Sequence, residues 1–143
     1  MNEPGKFSII KPTLDTPFQI DFNWWQSHDQ NWRVFLHSFL CDEHKAKFSS
    51  AGGETLIDFV DPETAEVHRV DGLQHILMTH CAKQAEFLTE HTSLVNAVFR
   101  YFLANSNTPA SPRMLGAAIS KDPVMILRTF SGMHVYQGIR PIR

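Results

Sequence analysis

Four residues of this chain combine donor types and spacing that suit a metal ion. Cys41 and His44 stand three positions apart near the end of one helical stretch, and His80 and Cys81 stand side by side near the end of another. A Cys/His pair at i,i+3 lies on one helical face, so two such helix ends can bring two thiolates and two imidazoles onto one ion, in the tetrahedral arrangement zinc takes. Neighbouring residues on a helix point about 100° apart, so His80 and Cys81 can share an ion only where the helix breaks. His37 and His75 are further donors. The competing reading is that cysteines beside apolar stripes are small core residues. A zinc ion held here would be structural, or sensory in a metal-responsive regulator, and the sequence implies no other cofactor.

Other chemical signatures are missing from the sequence. It contains no glycine-rich phosphate loop, no His-Glu-x-x-His and no Gly-x-Ser-x-Gly. Serine, histidine and aspartate occur without a placed nucleophile, so a non-enzyme is expected. Asp58, Asp61 and Glu63 invite a calcium assignment, but the loop glycine and terminal bidentate glutamate of an EF-hand are lacking. Asp61-Pro62-Glu63-Thr64 reads instead as the turn of a β-hairpin.

With 143 residues, 43 % of them hydrophobic and 20 % charged, the chain is globular rather than disordered. Two cysteines make no disulfide framework, and MNEPGKFSIIKP has no long apolar segment. A reducing cytoplasm is therefore the expected location, with no membrane partner. The net charge of −2 conceals an asymmetry. Residues 1–91 hold seven Lys+Arg against fourteen Asp+Glu, a balance of −7, and residues 92–143 hold six against one, a balance of +5. Such a split points to an interaction surface in one half.

The elements that must position these groups follow from spacing and turn chemistry. An extended arm over 1–22, with a short strand at Phe18–Phe22, leads to a capping box at Ser27 and Gln30. From there Trp32, Phe35, Leu36, Phe39 and Leu40 predict one amphipathic helix to about Phe48, ended by Gly52 and Gly53. A β-hairpin over Thr55–Val70 precedes a second helix, roughly Leu73–Lys83. Thr92 or Ser93 opens a helix burying Leu94, Val95, Val98, Phe99, Phe102 and Leu103. Ser111-Pro112 and Asp122-Pro123 each place an N-cap before a proline at the first helical position. The first of these two helices should bury Leu115, Ala118 and Ile119. The other should bury Val124, Leu127 and Phe130, with Ile126 at the border, and Gly132 stops it. Met133–Pro141 alternates around Gly138 as a short strand or small terminal hairpin would.

Helix, short helix, tight turn, helix and β-ribbon resemble the winged helix-turn-helix. The resemblance covers residues 92–143. It is carried by Ser111-Pro112-Arg113-Met114-Leu115, by Ser120-Lys121-Asp122-Pro123 in the turn, and by Met133–Pro141 in the wing position. With the elements before it, the chain reads as α+β and mainly helical: an acidic helix–hairpin–helix region over 23–91, then a basic winged helix. The resemblance implies double-stranded DNA as partner, with the third helix entering the major groove. Met125, Arg128 and Thr129 would lie on its outer face. Arg113 and Lys121 would meet the backbone, Arg100 would lie on the outer side of the domain's first helix, and His134, Gln137 and Arg140 would lie in the wing. A DNA-binding transcriptional regulator is the first functional reading. A winged-helix adaptor that binds protein is the second. In either, residues 23–91, with Trp24, Trp25 and Trp32, would hold a homodimer or a protein partner.

Overall fold

The computed structural model describes residues 11–142 except 30, 48–55, 61, 62, 85, 86, 90 and 91. The Gly52–Gly53 break, Asp61-Pro62 of the turn and Gln30 of the expected capping box lie outside the described residues. Four short strands and seven helices are described, in the order β1 (Phe18–Ile20), α1 (Phe22–His28), α2 (Trp32–His37), α3 (Asp42–Lys47), β2 (Leu56–Val60), β3 (Val67–Asp71), α4 (Gly72–Thr79), α5 (Leu94–Ala104), α6 (Pro112–Ile119), α7 (Pro123–Phe130) and β4 (Ile139–Pro141). A 3₁₀ turn, Cys81–Lys83, follows α4.

The single amphipathic helix expected to run to Phe48 is instead three short helices. Asp21, not Ser27, caps the first, its carboxylate accepting the Trp24 N–H at 3.0 Å. Ser27 lies inside α1, where its hydroxyl donates back to the Asn23 carbonyl at 2.6 Å. Asp29 is extended and its Oδ1 accepts the Asn31 N–H at 2.8 Å, a local bond that competes with helix continuation. After α2 the bonds tighten to i→i+3: Phe39 N–H to Leu36 O at 3.0 Å, and Leu40 N–H to His37 O at 3.1 Å. The apolar spacing still does its work, since Leu36, Phe39 and Leu40 are all buried.

The hairpin forms as expected, β2 and β3 pairing antiparallel from Leu56 with Asp71 to Val60 with Val67. It feeds directly into α4, which buries Leu73 and Leu77. That helix stops at Thr79 rather than Lys83, because His80 takes φ −124°, ψ −65°. This supplies the break between His80 and Cys81 that a shared ion requires.

In the last third both proline-led caps are present: Ser111 Oγ accepts the Met114 N–H at 3.2 Å and Asp122 Oδ1 accepts the Val124 N–H at 2.9 Å. Ser120, left-handed at φ 58°, reverses the chain between α6 and α7. Gly116 lets the two helices approach, for a Cβ there would stand 2.6 Å from Pro123 Cγ and 2.7 Å from the Lys121 carbonyl oxygen. Because one clash is with backbone, Gly116→Ala should destabilise the protein by about 1–3 kcal/mol as an overpacking change. Urea unfolding checks this, and an unchanged midpoint would show that the turn is loose.

Two expectations for this region are corrected. The faces of α6 and α7 are shifted: Ala118 is exposed and Val124 is 46 % exposed, while Ile126, placed at the border, is buried with Phe130. Of the two readings of Met133–Pro141, the short strand forms and the local hairpin does not, because the strand pairs at long range. Residues 131–138 run irregularly, with Gln137 (φ 52°) and Gly138 (φ 74°) turning the chain. Strand β4 then pairs antiparallel with β1, Phe18 opposite Pro141 and Ile20 opposite Ile139, and Phe18 also bridges to Ala110. The β1 segment wins because Phe18 and Ile20 both bury their side chains on completing this sheet.

Among the described residues, one core cluster draws on both regions. Phe99 of α5 is fully buried, with ring centroids 5.3 Å from Trp25, 5.7 Å from Phe35 and 5.3 Å from Phe39. The 23–91 region and the 92–143 region therefore share an aromatic centre. Among the described residues, no helix is long and apolar enough to cross a membrane.

Candidate metal centre

Cys41 stands just before α3, where its carbonyl accepts the Lys45 N–H at 2.8 Å. His44 is then the third residue of α3, one turn on, and points the same way as Cys41. The kink at His80 turns α4 into the 3₁₀ turn, so that His80 and Cys81 both face the Cys41–His44 pair. Cys41 Sγ lies 3.1 Å from His44 Nδ1, 3.4 Å from Cys81 Sγ and 3.8 Å from His80 Nδ1. Cys81 Sγ lies 3.6 Å from His44 Nδ1. The four donor atoms all fall within 4.8 Å of one another. Zinc–sulfur and zinc–nitrogen bonds of ordinary length put tetrahedral ligands about 3.4–3.8 Å apart, so this Cys2His2 cluster is positioned to bind a metal ion.

The electrostatics fit that use. His44 and Cys81 are buried, Cys41 is partly exposed and His80 is exposed. Burial pushes the Cys81 thiol up to about 11, so at neutral pH only a competing cation or base would remove its proton. Glu43 Oε2 lies 3.8 Å from His44 Nδ1 at the cluster's edge. His37 and His75 are not members of the cluster.

Of the residues expected to meet DNA, Arg100 and Arg140 are engaged within the fold. Arg100 is half-buried rather than outward. Its Nη1 donates to the Phe87 carbonyl at 2.7 Å, and its guanidinium lies 4.6 Å from the Phe39 ring centroid and 4.9 Å from that of Phe87. Burial also lowers its pKa. Arg140 is held at 2.9 Å by Asp21, so one aspartate both caps α1 and pins β4. Arg113 is exposed and pairs with Asp15 at 2.9 Å, its guanidinium holding that carboxyl below the usual range. Gln137 donates to Asn96 Oδ1 at 3.1 Å, and His134 packs edge-on against Tyr136. The outer side of α7 carries exposed Met125 and Arg128, with Thr129 bonded back to the Met125 carbonyl and Lys121 at the entrance. Arg100 shows where charge spacing misleads: its separation from Phe39 and Phe87 in sequence gives no sign of the aromatic slot that receives it.

Compared with known proteins, the chain matches no family model, no curated protein and no solved structure.

Proposed function

We propose that this protein is a zinc-stapled helical regulator of the cytoplasm whose α6–α7 helix-turn-helix docks on duplex DNA. In this reading zinc is structural. Four protein donors close the coordination sphere and leave no open position for a substrate. The observation that carries the DNA reading is the rigid presentation of α7. Gly116, the left-handed Ser120 and the Asp122 cap fix the turn, while Lys121, Met125 and Arg128 lie on its accessible side. Lys121 and Arg128 would take phosphates or a guanine edge. Arg113 can join them, because its pair with Asp15 is solvent-exposed and weak enough for a phosphate to displace.

Three phosphate contacts give a measurable signature. The affinity for a mixed-sequence duplex, followed by fluorescence anisotropy, should fall against salt with a log–log slope of about −3. Arg128→Glu should weaken binding at least about tenfold and flatten that slope by about one. Absence of duplex binding at low salt would sink the reading.

A second reading, a protein-binding adaptor, is favoured by one specific observation. Met114, Val124, Met125 and Met133 are 55 %, 46 %, 47 % and 103 % exposed on or beside the same two helices. Flexible methionines at an open surface suit a protein partner better than a polyanion.

A further inference from the structure

We propose that Cys41 and Cys81 form an oxidisable dithiol: a hydroperoxide entering the cleft beside them converts the pair to a disulfide and releases the ion. The release rests on the zinc reading above, whereas the dithiol rests on geometry. The two Sγ atoms are 3.4 Å apart, so a disulfide needs a closure of only about 1.4 Å. Both residues stand at element ends, Cys41 just before α3 and Cys81 opening the 3₁₀ turn, where backbone adjusts more readily than within a helix. A cleft of about 280 Å³ has both cysteines among its lining residues, together with Asp42, Lys45, Gln84 and Arg100. Arg100 is fixed there by the Phe87 carbonyl, and its buried Nε has no partner among the described residues.

The chemistry balances with a hydroperoxide as the oxidant. The partly exposed Cys41 thiolate attacks the terminal oxygen. An S–O bond forms, the O–O bond breaks, and the hydroperoxide is reduced to an alkoxide while the sulfur becomes a sulfenic acid. The Cys81 thiolate then attacks Cys41 Sγ, the S–S bond forms, the S–O bond breaks and hydroxide leaves. Two protons from water convert alkoxide and hydroxide to alcohol and water. The cationic side chains of Lys45 and Arg100 line the space where both anions leave. With both sulfurs in the disulfide, only His44 and His80 would remain to hold a zinc ion, too few to retain it.

The test uses the full chain loaded with zinc and treated with hydrogen peroxide. The expected result is a Cys41–Cys81 linked peptide under non-reducing conditions, a mass loss of two hydrogens, and one zinc released per disulfide. A thiol reductant with added zinc should reverse all three. In Cys81→Ser, dimedone should trap a sulfenic acid on Cys41 with no linked peptide, and the linked peptide in the wild type decides the matter if that variant folds poorly. Zinc retained with both thiols still alkylatable after excess peroxide would overturn the inference, as would Cys41 reaching sulfinic acid without linkage. A protein that takes up no zinc but still forms the linked peptide would refute the zinc reading alone.

Discussion

Removing the metal should lower the thermal midpoint by about 10–15 °C. With free zinc a thousandfold above its dissociation constant, binding stabilises the native state by about 4 kcal/mol, and in a domain of this size each kcal/mol moves the midpoint by about 3 °C. The effect concentrates on α3. Of that helix's described side chains only His44 is buried, so little besides the ion would dock it. Six residues are also too few to hold a helix in water unaided. Cys41→Ser and His44→Ala should each melt near the chelated wild type and respond no further to chelator. The rest of the core, from Phe18 to Ile139, should remain folded at lower temperature. A midpoint indifferent to chelator and to both substitutions would show that the four donors are packed for other reasons.

Phe99→Ala should cost about 3–5 kcal/mol, the usual range for a large aromatic removed from a close-packed interior. Its ring, carried by α5 of the 92–143 region, is fully buried and meets Trp25, Phe35 and Phe39 of the 23–91 region at once, so the cavity lies where the two regions pack together. The consequence is specific to a shared core. Tryptophan fluorescence, dominated by the 24–32 segment, and far-ultraviolet dichroism, which also reports α5–α7, should shift together as one transition. If the helix-turn-helix region were an independent unit, the fluorescence midpoint would fall while the dichroism kept a later, unshifted transition.

Local chemistry was readable in the sequence where it is decided within a few residues. The Ser111 and Asp122 caps, the prolines after them and the β2–β3 pairing all follow from neighbours in sequence. The four metal donors were also readable, since soft ligand types at helix ends are few. What geometry demanded of them, a break at His80, could be stated as a requirement but not located by composition. Long-range choices were not readable. The partner of β4 is β1, more than a hundred residues away, and the alternation of Met133–Pro141 carries no signal of it. The fates of Arg100 and Arg140 were hidden for the same reason, since an aromatic slot and a distant aspartate claim them only in the folded chain. The faces of α7 turned by one position because Ile126 and Phe130, rather than Val124, meet the core. An eight-residue helix has too few turns for its periodicity to decide that alone.

In the proposed function two sulfurs and two imidazole nitrogens share one ion. X-ray absorption at the zinc edge of freshly purified protein tests this most directly. It should show one zinc per chain with two sulfur ligands at about 2.3 Å and two nitrogen ligands at about 2.0–2.1 Å. Metal-free protein, or zinc in a shell of oxygen and nitrogen without sulfur, would contradict it.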